Sequence, residues 1–573
     1  MRWLLALILL VACGGDAAPD RTAYFDLDGS IAEPATFWNL PFPSDLRMAA
    51  SGAPDMTGFP NPRNVPILAA LVSVVAERRG WPTMPTAYIR FTKPVPERAI
   101  TDVVAGDSIL LIDIDPASPE LGATFPVVAR TLPPDPYLPA DVVALAPRPG
   151  IVLRASTRYA YVVRSTFAPG FEAPPAFAAL AAGKTPNGPR GAAAAELYAP
   201  LWPALAAAGV DTDDVIVATV FTTGDEVARL SARTEAIRAA MHPAIENLAL
   251  VGGASHDGFC QLAGTITMPQ FQVGTQPFDS EGRFVVDAND VPIQQGEMTI
   301  PLAITIPKTA MPAAGWPLYQ FFHGSGGIST GLVDLGYSPT SADIPEAGKG
   351  PGFVVARHGI AAVSAAMPVN PERLPGAGET AYLNLNNLAA FPFTFQQGVI
   401  EQRLLTDAMV ALQIPAATLA GCGTAVTHHF DAAKLVAGGQ SMGGMYTNMV
   451  SAVEPRFGAI VPTGAGGFWN LMILETATVP GAKSILSVAL GVDEDQLTFA
   501  HPGLDAMALG WEIAEPMAYM ARLAHRPLPD HPVRHIYQPV GMDDTYFPID
   551  VYDAAALAYG NQQAGDEVWP SMQ

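Results

Sequence analysis

One short stretch constrains the fold more than any other. Ala433 to Gly438 (AKLVAG) reads as an apolar strand, Gly439-Gln440-Ser441-Met442-Gly443-Gly444 follows directly, and Met445 to Val453 continues with helical character. A serine between a buried strand and a helix sits in a tight, strained turn. The residues two before and two after it must therefore be small enough to clear the neighbouring strands. Gly439 and Gly443 meet that demand. Gly-x-Ser-x-Gly alone is weak in a chain with 52 glycines, but bracketed by strand and helix it is specific. The bland alternative is a serine that merely caps its helix.

The flanking sequence alternates in the same way. Pro317 to Phe322 (PLYQFF) reads as a buried strand running straight into His323-Gly324-Ser325-Gly326-Gly327. Phe353 to Arg357 reads as a short helix, Gly359 to Pro368 as a strand, and Phe395 to Leu412 as a long helix. This β-α alternation predicts a mostly parallel sheet covered on both faces. If Ser441 is a nucleophile, an oxyanion needs two backbone N–H groups, one from the residue after the serine and one from an earlier loop. Met442 supplies the first, and Ser325 or Gly324 the second, with Gly326 and Gly327 letting the loop turn. No Lys-Ser/Thr follows these glycines, which argues against a phosphate cradle. At this position His323 is expected to be a structural hydrogen-bonder.

Together the two motifs resemble the esterase/lipase branch of the α/β-hydrolase family, over about Gly264 to Gln573. The resemblance implies Ser441 as nucleophile, Met442 and Ser325 as oxyanion donors, and an acid after a later strand. That strand is Val533 to Val540 (VRHIYQPV), which puts the acid at Asp544, with Asp543 the alternative and an ordinary turn-forming aspartate the bland reading of either. The family's histidine follows the acid, yet all ten histidines here precede Asp544. Three expectations compete: the last strand and its histidine lie beyond a C-terminally incomplete chain; His501 or His525 is recruited; or the site is not catalytic and the protein binds at a surface. Without a base the serine hydroxyl is a poor nucleophile. An acyltransferase using the same serine is a further alternative. Segments 371–395 and 468–530 are insertions that fit either a cap over an apolar acyl pocket or plain helical packing.

The N-terminal half reads differently. Short β-prone runs (Ala87 to Phe91, Ser108 to Ile114, Val127 to Leu132, Arg158 to Ser165) are separated by Pro and Gly, predicting an antiparallel β-sandwich over 24–241. A helical insert is expected at about 171–209, then a strand at Val215 to Thr223 and a helix at Asp225 to Met241 capped by Thr223. Pro41 to Leu46 and Tyr159 to Val163 resemble the immunoglobulin-like domain ahead of bacterial virulence-factor-type extracellular lipases. The expected architecture is thus an Ig-like sandwich, then an α/β-hydrolase domain over 242–573 with its last strand missing, each with its own core.

The first residues read as an address. Met1-Arg2 is a short positive start, Trp3 to Ala12 is apolar but too short to span a bilayer, and Leu10-Val11-Ala12-Cys13 resembles a bacterial lipobox. The expectation is a lipoprotein signal over 1–13 with lipidation at Cys13, a tether over 14–23, and export to the cell envelope or beyond. The membrane partner would be met through that anchor, and the substrate would be a small-molecule or lipid ester. Cys260 and Cys422 either pair or remain free thiols. No metal or organic cofactor is implied. A balance of 31 Lys+Arg against 54 Asp+Glu, net charge −23, excludes nucleic acid as the main partner.

Overall fold

A computed structural model describes residues 20–562, apart from 102, 341–342 and 423–425. The expected export signal with Cys13, most of the expected tether and the last eleven residues lie outside the described residues.

The N-terminal half contributes eight strands: β1 (Ala87–Arg90), β2 (Val103–Val104), β3 (Ile109–Asp113), β4 (Thr124–Phe125), β5 (Val127–Leu132), β6 (Val142–Pro147), β7 (Arg158–Arg164) and β8 (Val215–Thr222). They form two four-stranded sheets, β1-β6-β5-β2 and β4-β3-β7-β8, with antiparallel pairing throughout. β3 and β6 are buried along their whole length, which is why they lack polar alternation. Three helices (Pro175–Ala181, Gly191–Tyr198, Leu201–Ala207) lie between β7 and β8. The next helix, Glu226–Ala240, is capped by Asp225, whose carboxylate accepts Ala228 N–H at 2.9 Å. Thr223 instead bonds Thr157 and Arg154 in the preceding strand region.

The second half builds one eight-stranded sheet from β9 (Ile245–Ser255), β10 (Phe259–Gln270), β11 (Gly296–Pro307), β12 (Trp316–Phe322), β13 (Ala361–Ala365), β14 (Phe430–Gln440), β15 (Phe457–Thr463) and β16 (His535–Ile536). The order is β16-β15-β14-β12-β13-β11-β10-β9. β9 and β11 run against the other six strands. β12 and β13 exchange places relative to chain order, so β14 joins the sheet beside β12 and its C-terminal end opens next to the loop after β12. The buried Phe391–Ala411 helix and the Met442–Val453 helix pack against this region. The former starts four residues before its predicted position because Pro392 fits the first helical turn.

Two expectations change. Val533 to Val540 pairs as a strand only at His535–Ile536. Pro532 and Pro539 bring no backbone N–H, so the rest follows β15 through single bonds, Tyr537 N–H to Ile460 O (3.1 Å) and Gly464 N–H to Pro539 O (2.9 Å). The two halves also do not keep separate cores, since one apolar cluster runs through both. Segment 468–530 makes the join. Tyr88 Oη donates to Ala500 O (2.9 Å), Tyr137 Oη to Leu490 O (2.8 Å), and Arg78 to Leu509 O (2.6 Å) and Glu512 (2.5 Å). Cys260 and Cys422 are disulfide-bonded, tying β10 to the turn Ala416–Cys422.

Candidate active site

Ser441 stands between the end of β14 and the first residue of the Met442–Val453 helix, with φ 55° and ψ −120°. A side chain is disfavoured in that region by about 1–3 kcal/mol, and the surroundings must hold it there. They do. Ser441 N–H donates to Thr463 O at 2.9 Å, at the end of β15. The flanking glycines are explained by contact. A Cβ on Gly443 would stand 1.9 Å from Phe322 O, and one on Gly439 would stand 2.4 Å from Gly443 and 2.6 Å from Phe322 O. One on Gly444 would stand 2.7 Å from Ala465 Cβ. Any side chain at Gly439 or Gly443 would push the helix off β12.

The His323–Gly327 loop lies against this turn. A Cβ on Gly324 would stand 2.4 Å from Gln440 Oε1. Gly326, at φ +69°, donates its N–H to Asn370 Oδ1 at 2.8 Å, and Gly327 N–H donates to Gly324 O at 3.1 Å. Ser325 N–H meets no acceptor among the described residues. Met442 opens its helix, where first-turn N–H groups have no intrahelical acceptor. Met442 N–H and Ser325 N–H are thus among the backbone donors this arrangement leaves available, and Gly324 N–H likewise meets no acceptor among the described residues. His323 is fully buried and structural. Met367 N–H donates to its Nε2 (3.2 Å), so its Nδ1–H donates to Gly324 O (2.8 Å), and burial pushes the imidazole down to about 4.

Sequence reading missed Asn370. It is buried, anchors its amide on Pro368 O (2.8 Å), holds Gly326, and touches Met442 Sδ at 4.0 Å. It ties the glycine loop to the residue after the serine. A lone asparagine after a strand carries no motif that would have revealed it.

Asp544 sits in the turn after β16. Its Oδ1 accepts the N–H groups of Tyr546 (2.7 Å) and Phe547 (3.1 Å), and its Oδ2 accepts Tyr552 Oη at 2.5 Å. Gly464 lies beside this carboxylate, since its Cβ position is 3.9 Å from Asp544 Oδ2. Gly464 directly follows Thr463, which anchors Ser441. Asp543 is exposed and makes none of these contacts, so of the two candidates only Asp544 is drawn toward the elbow. Tyr552 was also missed; burial first, and then the Asp544 carboxylate, hold its phenol well above the usual range, so it stays a donor. Glu515 fixes the intervening loop by accepting N–H from Phe468 (2.8 Å), Trp469 (3.1 Å) and Met517 (3.1 Å), and burial raises it to about 7.

No histidine hydrogen-bonds Ser441 or Asp544 among the described residues. His501 is held elsewhere: its Nδ1 accepts Gly503 N–H (3.1 Å) and its Nε2 faces Asp135 (2.9 Å) in the N-terminal half. His525 is exposed and lies against Gly560. Recruitment of either is not what the fold builds.

The sheet order and the strained serine at its strand-to-helix turn are those of an α/β-hydrolase fold. No protein-family model matches the chain, and no curated protein matches it. Solved structures similar to it include an acetyl xylan esterase from Paenibacillus sp. R4 (TM-score 0.34, 13% identity, 58% of this chain and 83% of that one). Acetyl xylan esterase 1 from Thermoanaerobacterium sp. JW/SL YS485 gives TM-score 0.35 and 14% identity, over 58% of this chain and 83% of that one. Pyrococcus horikoshii acylaminoacyl peptidase gives 0.27 and 12%, over 52% and 41%.

Proposed function

We propose that the chain is a serine hydrolase of carboxylic esters that works through an acyl-enzyme on Ser441. The observation that carries this reading is the forced conformation of Ser441 at its strand-to-helix turn, with the His323–Gly327 loop packed against that turn. In this reading Ser441 Oγ attacks the ester carbonyl and the Oγ–C bond forms. The oxyanion accepts hydrogen bonds from Met442 N–H and Ser325 N–H, the Oγ proton passes through a general base to the leaving alkoxide as its C–O bond breaks, and water, deprotonated by the same base, then releases the acid. Asp544 is the carboxylate that would orient an imidazole base at this site. Tyr552 and two backbone N–H groups occupy it, a pattern that also supports a second reading, a hydrolase-like binding protein.

A fluorophosphonate label separates the two. Ser441 Oγ displaces fluoride from phosphorus, its proton passing to solvent or to added imidazole. Labelling that Ser441→Ala abolishes supports the hydrolase. A folded protein that stays unlabelled even with imidazole supports the binding protein. With an ester substrate, product analysis in the presence of an alcohol distinguishes hydrolysis from acyl transfer.

We read residues 24–241 as an Ig-like unit of the kind found ahead of virulence-factor-type lipases, serving as a packing partner for the hydrolase half. Residues 1–13 are read as a lipoprotein signal, with Cys13 as the lipid-bearing residue of an envelope protein. The Cys260–Cys422 bond suits an oxidising compartment. Metabolic labelling with a fatty acid, lost in Cys13→Ser, tests the anchor.

A further inference from the structure

The segment 371–395 runs from the glycine loop to the Asp544 turn and carries three charged residues, Glu372, Arg373 and Glu379; Glu372 is engaged by Ser329, whose N–H and hydroxyl donate to it at 2.6 and 2.9 Å. Glu379 packs on Gly326: a Cβ there would stand 3.3 Å from Glu379 Cγ and 3.4 Å from its backbone nitrogen. On the far side the Glu379 charge acts on Tyr546, whose hydroxyl pairs with Tyr382 Oη at 2.6 Å and which burial pushes up to about 12. Glu379 itself is exposed and forms no ion pair among the described residues. Arg373, on the same segment, offers it no compensation, being fully buried and paired with both oxygens of Glu401 at 2.5 and 3.0 Å. The other side chains named at the site bring no positive charge.

We propose that Glu379 sets substrate selectivity at Ser441, favouring esters that bring a hydroxyl or an ammonium group next to the scissile bond and rejecting those that bring a carboxylate. This rests on the ester-hydrolase reading above. An unpaired carboxylate beside the residue that supplies an oxyanion donor disfavours the tetrahedral anion as well as an anionic substrate. A substrate that places a cation or a hydrogen-bond donor against Glu379 removes both penalties. A hydrocarbon ester removes neither, and an anionic one adds to them. For an exposed carboxylate packed on the glycine loop, the discrimination expected between cationic and anionic esters of equal size is about tenfold at low salt.

The test is the rate of Ser441 phosphonylation by three fluorophosphonates of matched length, bearing a trimethylammonium, a hydroxyl or a carboxylate, in the full chain. In the wild type the cationic to anionic rate ratio is expected near ten at low ionic strength and should fall toward one at high salt. In Glu379→Gln the low-salt ratio should drop at least threefold, and in Glu379→Lys it should invert. Circular dichroism confirms that these exposed substitutions leave the fold intact. A ratio that is the same in all three proteins overturns the proposal while leaving the hydrolase reading standing. A folded wild type labelled by none of the probes removes both.

Discussion

The conformation of Ser441 carries a measurable cost. At φ 55° and ψ −120° it occupies a region open to glycine and closed to residues with a Cβ, worth about 1–3 kcal/mol of strain. Ser441→Gly removes the Cβ and the strain together, but it loosens the unfolded chain by about 0.4–1 kcal/mol. Ser441→Ala removes the hydroxyl and keeps the Cβ. Ser441→Gly should therefore be more stable than Ser441→Ala by about 0.5–2 kcal/mol. Melting is a poor assay, because about 2.1 cal/mol/K per residue over 573 residues turns 1 kcal/mol into roughly 1 °C. Isothermal urea unfolding, followed by fluorescence of the buried Trp469 and Trp511, resolves the difference through the midpoints and a shared slope. If the glycine variant is no more stable than the alanine one, the turn stores no strain, and the close contacts of Gly439 and Gly443 have been misread as enforcing it.

Other outcomes follow from the same geometry. Asn370→Ala leaves Gly326 N–H without its acceptor and should slow phosphonylation of Ser441 about tenfold to a hundredfold; an unchanged rate means that Asn370 does not hold the loop. Asp505, 2% exposed between the two halves, is raised by burial from 3.8 to about 7. The folded state thus binds the extra proton, and stability falls as pH rises from about 4 to about 7. Asp505→Asn should gain on the wild type between pH 5 and pH 8 by up to a few kcal/mol; urea midpoints at the two pH values that shift in parallel would refute this. Reducing Cys260–Cys422, which closes a separation of 162 residues, should lower stability by roughly 2–5 kcal/mol, read as an earlier urea midpoint in reductant.

The elbow was legible because its chemistry fixes residue size at fixed spacing, and contact with Phe322 O shows why no other residue than glycine fits Gly443. The glycine loop and the Asp544 turn could be located because each follows a recognisable apolar run. Five of the eight strands of the N-terminal half fall within a residue of their predicted ends, where Pro and Gly punctuate them, while β2, β4 and the buried β6 were not read. What could not be read depends on partners distant in sequence. Asn370, Glu379 and Tyr552 gain meaning only from Gly326, Tyr546 and Asp544. Segment 468–530 advertises an apolar face, but periodicity does not say that the face meets Tyr88 and Tyr137. The truncated β16 shows prolines overriding a β-prone run at a sheet edge.

The shared core has a consequence for how the molecule comes into being. The surfaces of the N-terminal half that receive residues 468–530 are complete once residue 241 has been made. Their covering does not exist until some 290 residues later. At roughly 5–20 residues per second, the ribosome leaves that interval open for about 15–60 s. During it, the hydroxyls of Tyr88 and Tyr137, and the face of Pro66–Val75 that meets Pro502–Trp511, lack their final partners. The first half of the chain must therefore wait, with that face exposed, for the second.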